Sequence, residues 1–400
     1  MSNPPAPAAP TEGSRVHEGA PSSPSSLPGD AVVVGLHAGG VALGRTLAQL
    51  GFRVVGLVEQ QEPGRRARCF RSVHRRPPDA RTIVDLVRLD TTPVPIFPTS
   101  DTAVAWLEPL AGDQRFACFR PPDDVLMSWF DKTGYARLSP EMLALLDPPR
   151  CTVLANWRRL ARKEGPWVAK AANGAVRLRH GMPKTALLTS TSGLKIFAEQ
   201  WRHLERYILV QDWVPGDDVD HAFVGGYADG ERTHVFQVGR KLQQSPRGAG
   251  VATHARLEPL PEVEAKTRWL INNIGHRGFF EAEWKWDPTV RRWRFLELNV
   301  RPWETLAMST HAGMDLVLTA LHDAGVTVDR PSDESAPRTP TEWRDDFALV
   351  LEALKRQGSL FRRRTGPVAH AYWSWRDPGP FVDQWVSYLR GTVGRVFRRQ

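Results

Sequence analysis

Cysteine is scarce in this chain: Cys69, Cys118 and Cys151 are the whole complement in 400 residues. The count is odd and no two sit at a metal-ligand spacing, so neither a disulfide framework nor a zinc ribbon is expected. A reducing, cytoplasmic compartment fits instead. No apolar run approaches the roughly 20 residues that a membrane-spanning helix needs. Residues 1–30 are Pro, Ala, Ser and Gly with scattered charges; they lack the apolar centre of a signal peptide and read as a disordered tail. Zinc-finger, basic-zipper and aromatic–basic RNA-binding signatures are missing too. Their absence decides how the charge is read, because 53 Lys and Arg against 44 Asp and Glu leave +9, enough to attract any polyanion. That charge is spread in short arginine runs such as 362–364 and 398–399. The expected anionic partners are therefore metabolites or an anionic surface, and nucleic acid is not expected.

What is present begins with 41% hydrophobic residues, sufficient for a sizeable core and two or three domains. Ala31–Val34 is a β-branched run ending at Gly35. Through His37, Gly39, Gly40 and Gly44 it leads into a helix-like stretch, Arg45–Leu50, followed by a second strand over Phe52–Val58. This is a βαβ opening, the mark of a parallel α/β sheet. Gly35 and Gly40 match the first and third glycines of a dinucleotide-binding turn, and Glu59 stands where a ribose-binding acid would. His37 occupies the second position, where the backbone must approach a pyrophosphate closely, so a supporting role for the turn is the stronger expectation. Pro95–Pro98 reads as a strand end opening a helix capped by Ser100 or Asp101.

From Asp124 to Leu146 the composition turns helical. Strands are then expected at Trp167–Lys170, Tyr207–Val214, His221–Tyr227 and His234–Gly239, an antiparallel α+β body. A helix runs from Met314 to His322, a Pro/Ser/Thr-rich linker covers 331–341, and a helical extension covers 342–400. The last helix places Trp385, Leu389, Val393 and Phe397 on one stripe beside Arg390, Arg395, Arg398 and Arg399. Such a basic amphipathic helix suits either its own domain or the edge of a membrane.

The chemistry concentrates in two strands. Glu281-Ala282-Glu283-Trp284-Lys285 and Trp293–Arg301 alternate apolar and polar residues across the turn Asp287-Pro288-Thr289. Residues two apart in a strand share a face, so Glu281, Glu283 and Lys285 point one way, as do Glu297, Asn299 and Arg301. If the hairpin closes, carboxylates and an amide oxygen converge among cations. That set suits Mg²⁺ (or Mn²⁺), which takes a few protein oxygens and leaves other positions to phosphate oxygens and water. An ordinary ion-pair ladder on a surface hairpin is the competing reading of these residues alone.

In order and spacing, the elements from Ala31 to Asp315 resemble the ATP-grasp superfamily, and within it carboxylate–amine ligases related to D-aspartate ligase. The residues that carry the resemblance are Asp131-Lys132, Val168-Ala169-Lys170 before a small-residue loop, Leu209–Asp218, Gly239-Arg240-Lys241, Gly278–Glu283 and Glu297–Pro302. The resemblance implies a Rossmann-like pre-grasp domain over 31–123 and two α+β grasp subdomains over 124–330. It implies that Lys132 and Lys170 contact ATP phosphates and that Gly174 lets backbone N–H groups close over them. The segment from Gln211 to Val214 would form the adenine hinge, with backbone groups of Asp212 and Val214 reading the adenine edge, and Asp218 would accept from ribose. Glu283, Glu297 and Asn299 would hold Mg²⁺, Arg301 would neutralise the transferring phosphoryl group or the substrate carboxylate, and Lys241 and Arg240 would be further catalytic cations. The implied activity is ATP-dependent ligation of a carboxylate to an amine through an acyl phosphate, releasing ADP and phosphate. The chain departs from that pattern at Gln243, where an arginine is common, and at Gln211, where glutamate is common. The alternatives are a nucleotide-binding protein without ligase turnover and an oxidoreductase built on Gly35–Glu59. The loop from Ser245 to Thr253 is expected to shape the substrate pocket.

Overall fold

A computed structural model of the chain describes residues 29–59, 61–90, 93–125, 129–162, 164–308, 316–328, 341–355 and 366–396, without the side chains of 391–396. The expected tail up to residue 28, the linker up to 340, the 362–364 arginine run and the end of the last helix's stripe lie outside those residues.

Three sheets organise the chain. The first is parallel, in the order β3-β2-β1-β4-β5, from Asp30–Val34 (β1), Arg53–Val58 (β2), Phe70–Arg75 (β3), Val94–Pro98 (β4) and Phe116–Cys118 (β5). The second is small and antiparallel, ordered β6-β9-β7-β8, from Cys151–Val153 (β6), Trp167–Ala171 (β7), Ala186–Leu188 (β8) and Ile208–Asp212 (β9). The third has seven strands in the order β14-β13-β10-β11-β12-β15-β16. Its members are His221–Ala228 (β10), Thr233–Ser245 (β11), Val251–Leu257 (β12), Gly278–Asp287 (β13), Arg292–Asn299 (β14), Glu342–Arg344 (β15) and Val368–His370 (β16).

The parallel sheet is buried on both faces. Val32, Val34, Leu57 and Ile96 pack on one side, and Ala31, Val33, Val54 and Phe97 on the other. This second layer continues without a break into the large sheet and the C-terminal segment, through Phe119, Phe223, Phe279, Trp303, Trp343 and Tyr372. Phe119 stacks on Phe97 at 4.4 Å and meets Phe279 edge-on at 5.8 Å. Each such ring removed from water contributes about 2–3 kcal/mol, so this shared layer fixes the parallel sheet against the large one.

Several sequence expectations change. The helix after β1 begins at Ala38 and runs to Gln49, so Gly39, Gly40 and Gly44 lie inside it rather than in a turn before Arg45. The reason is close approach: a Cβ on Gly39 would fall 2.3 Å from the Trp303 carbonyl oxygen, and one on Gly40 would fall 2.1 Å from that of Gly35. Between Asp123 and Leu146 there are short pieces, with helical turns at Lys132–Arg137 and Pro140–Leu146, in place of continuous helix. The C-terminal segment is not wholly helical. Beside the helices Asp346–Leu354 and Gly379–Val396 it supplies β15 and β16 to the edge of the large sheet.

Candidate active site

β13 and β14 pair with Glu281 opposite Asn299 and Glu283 opposite Glu297. One extra residue on β14, Leu296, is absorbed as a bulge where Glu283 gives way to Trp284. On the other flank, β10 sets Phe223 beside Glu283 and His221 beside Lys285. Alternation then puts Glu281, Glu283 and Lys285 on one face of the large sheet together with Glu297 and Asn299. This face is the floor of a cleft of about 440 Å³ whose walls come from the two antiparallel sheets and from the segments that follow β1, β2 and β4 of the parallel one.

Four lysines converge on the floor from different elements. Lys170, on β7 of the small sheet, reaches Glu297 at 3.0 Å, and Lys241, on β11, reaches Glu283 at 2.6 Å. Lys132 opens a helical turn whose backbone N–H is tied to the Ala172 carbonyl at 2.9 Å, beside the loop that follows β7. Lys184 comes from the connection into β8. Burial opposes the Glu297 charge, yet Lys170, Lys132 and Lys184 hold its carboxyl well below the ordinary value. Burial also opposes the charge on Lys132 and Lys241, but the facing carboxylates keep both above the usual lysine value. Lys184 is pulled down by burial. Glu281 is pushed up to about 8 by burial, with the Glu283 charge adding to it, and it accepts from Asn299 Nδ2 at 3.2 Å. Arg301 is oriented by Asp101, Nε to Oδ1 at 2.7 Å.

The other sequence candidates divide. Gln211 and Val214 line the cleft with Trp213, and Gly174 lines it at the start of the helix Gly174–His180, capped by Asn173. Asp212 turns its carboxylate outward to Arg150 at 2.6 Å. Asp218 is buried but is spent inside the protein, accepting from the backbone N–H groups of Gln244 at 3.1 Å and Gly248 at 2.6 Å. Its contribution is to hold the 248–252 segment against the cleft, as expected for the loop between Ser245 and Thr253. Arg240 does not join Lys241: adjacent strand residues face opposite ways, and its guanidinium binds Glu258 at 3.0 Å and lies 5.1 Å from the Trp293 ring. The irregular register after Lys241 brings Gln244, not Gln243, into the cleft lining.

Some cleft residues carry no local sequence signal as site groups. Asp101 reads as the first residue of a helix and Lys184 as a loop lysine. Lys285, already placed on this face by strand alternation, is 1% exposed, with Nζ 4.4 Å from the Trp213 ring and no hydrogen-bond partner among the described residues; His221 is buried beside it. Trp303 folds back over Gly225, where a Cβ would fall 2.4 Å from its ring, and donates to Gln237 at 2.6 Å.

Among the described residues no three His, Cys, Asp or Glu side chains gather into a metal cage. The donor set at the floor is instead two carboxylates and an amide, each carboxylate now holding a lysine. All are hard oxygen donors in a number that leaves positions for phosphate, which fits Mg²⁺ and not a soft or caged metal. The glycine turn after β1 is different. Its Leu36 N–H donates to the Glu62 carboxylate, which also takes the Glu59 N–H at 3.1 Å. Glu59 is itself bonded to Arg76 at 2.7 Å and to Ser100 at 2.8 Å. An anion of the protein's own takes the Leu36 donor of the turn, and Glu59 is engaged by Arg76 and Ser100, which weighs against the dinucleotide reading.

No family model matches the chain. A stretch of 119 residues is 23% identical to D-aspartate ligase of Enterococcus faecium (strain Aus0004), covering 29% of this chain and 28% of that protein, under a third of either. Among solved structures, N5-carboxyaminoimidazole synthetase from Staphylococcus aureus superposes with a TM-score of 0.55 at 12% identity, over 76% of this chain and 79% of that one. The biotin carboxylase domain of 2-oxoglutarate carboxylase from Hydrogenobacter thermophilus, solved with MgADP, ADP and bicarbonate, gives 0.56 at 17% identity, over 79% of this chain and 74% of that one. At these identities the superpositions establish a shared fold.

Proposed function

We propose that this chain, whose fold is that of the ATP-grasp enzymes, is an ATP- and Mg²⁺-dependent ligase that joins a carboxylate to an amine through an acyl phosphate. The observation that carries the proposal is the Glu283–Glu297 pair, fixed opposite each other by strand register and ringed by four lysines at the meeting point of three sheets. Phosphoryl transfer asks a protein for positioning and charge neutralisation rather than for a nucleophile, and this cleft offers those.

Lys132, Lys170, Lys184 and Lys241 would take the phosphate oxygens. Lys170 and Lys241 are held by Glu297 and Glu283; a polyphosphate would compete for both ammonium groups and free the carboxylates. Glu283, Glu297 and Asn299 would then hold Mg²⁺. When bound, the ion would supply Lewis-acid stabilisation of the charge on the transferring phosphoryl group. Arg301, aligned by Asp101, would steady the substrate carboxylate as it attacks the γ-phosphorus, with ADP leaving. The amine then adds to the acyl carbon, phosphate departs with the bonding pair, and the amine's proton is lost to the medium or to a cleft carboxylate.

The test is Mg²⁺-dependent ADP release from ATP, measured across pools of carboxylic and amino acids. Release that requires one carboxylate pool and one amine pool is the expected result. ATP binding without release in every pool would instead support a nucleotide-binding protein without turnover.

A further inference from the structure

The last helix, Gly379–Val396, has two unlike faces. On the inner one Asp383, 1% exposed, accepts from Arg65 Nε at 3.0 Å and Nη2 at 2.9 Å and lies 3.1 Å from Arg66 Nε. Gln384 is buried beside it, and the Trp385 ring meets Phe347 edge-on at 4.9 Å. These contacts pin the helix to the β2–β3 connection and to the helix Asp346–Leu354. The outer face is apolar and uncovered: Val382 is 47% exposed and Leu389 57%, two turns apart on one stripe with Val386 between them. Trp375, immediately before the helix, is 87% exposed, its ring braced edge-on by Trp373 at 4.9 Å.

Charge selects the occupant of this face. From Arg376 to the C-terminus the sequence holds five arginines (376, 390, 395, 398 and 399) against two acids, Asp377 and Asp383. Both acids are turned inward and neutralised, Asp377 at 3.3 Å by Arg45 of the helix after β1 and Asp383 by Arg65 of the β2–β3 connection. Arg376 and Arg390, the arginines of this segment whose side chains are described, therefore have no acid of their own segment left to pair with. A second copy of the chain docking through the same stripe would oppose arginines to arginines across a two-fold axis. An anionic lipid surface meets both requirements: its acyl boundary takes the valine–leucine stripe and the tryptophan, and its headgroups take the guanidinium groups. No helix among the described residues is long and apolar enough to cross a membrane, so the contact is one of lying on the surface.

We propose that this outer face is a docking site for an anionic lipid bilayer, which holds the protein at a membrane surface with its cleft outside the lipid. The full-length protein would be sedimented with vesicles of phosphatidylcholine alone or mixed with phosphatidylglycerol, at low and high salt. Two double variants would run alongside: Val382→Asp with Leu389→Asp, and Arg376→Glu with Arg390→Glu. The expected result is binding to the anionic vesicles only, weakened by salt and by about tenfold or more in each double variant. Thermal melting and ATP binding of both variants would match the parent, which separates lost docking from lost folding. A parent protein that stays in the supernatant with anionic vesicles overturns the proposal. So does vesicle binding that survives Val382→Asp with Leu389→Asp, or a dimer in solution that this double variant dissociates.

Discussion

Two regions of the molecule carry residues associated with phosphate. One is the glycine turn after β1, Gly35 to Gly40; the other is the β13–β14 hairpin from Glu281 to Arg301. In the turn, the backbone donor of Leu36 is already met by Glu62, and the glycines serve contacts between elements, Gly39 against Trp303 and Gly40 against Gly35. In the hairpin, the carboxylates face a cleft, and their partners are lysine side chains that swing on flexible stems. The difference teaches that a phosphate-like pattern is to be judged by whether its donors and acceptors are spoken for, and by what. A buried carboxylate held on backbone N–H groups is structure. A carboxylate held on a lysine at the floor of a cleft can be exchanged.

The largest effect that would sharpen this contrast is at Glu297. Glu297→Ala removes one half of the opposed pair and leaves Lys170 and Lys132 without their carboxylate. ADP release should fall by about 10²–10³-fold, the scale on which a single electrostatic contact to the reacting charge acts. A melting temperature near that of the parent would show that the loss is chemical; a variant that still turns over would break the comparison on the hairpin side. On the other side, Glu62→Ala strands two backbone donors, the buried one of Leu36 and the part-buried one of Glu59. It should cost about 2–3 kcal/mol in denaturant unfolding, and NAD(H) should still not bind. Acquired dinucleotide binding would mean that the turn is a latent anion site that Glu62 merely plugs.

A smaller effect separates structure from chemistry within the hairpin's own lead-in. His276 is buried, with Nε2 3.0 Å from the Phe279 carbonyl, and burial lowers its pKa to about 4. Unfolded, it titrates near 6.5. Below that value the unfolded chain binds a proton that the native chain refuses, so stability is intact above about 6.5 and falls as the pH drops toward 4. The loss should reach about 2 kcal/mol near pH 5, and His276→Gln should flatten that part of the stability profile. An unchanged slope would show that His276 is charged in place.

Much of the hairpin was legible because its signal is local. Strand alternation puts Glu281 and Glu283 on one face, and the turn at Asp287 brings Glu297 and Asn299 opposite. Lys170 was legible for the same reason, on a short apolar strand before small residues. What stayed hidden depends on distant chain. Asp101 acquires its role only because Arg301, two hundred residues on, folds against it, and Lys184 only because the small sheet closes over the large one. The glycines in Ala38–Gln49 look like a turn until Trp303 is seen lying against them. The three-residue strands β15 and β16 are too short to show any period, and they form because an edge of the large sheet is there to receive them.

The smallest effect concerns two neighbours that the sequence treats alike. Arg240 and Lys241 are consecutive cations on β11, and a reading by motif assigns both to the catalytic set. The strand sends them to opposite faces. Lys241 is buried on Glu283 in the cleft, whereas Arg240 sits on the far side between Glu258 and the Trp293 ring. Arg240→Ala should therefore leave ADP release and the ATP requirement as in the parent. It should cost about 1 kcal/mol in unfolding, the worth of a partly exposed ion pair with a cation–π contact. Lys241→Met in the same background should raise the KM for ATP and lower kcat while sparing that stability. If Arg240→Ala lowers kcat as much as Lys241→Met does, the β11 register differs from the one described, and the cleft face of the large sheet must be redrawn from Gly239 onward.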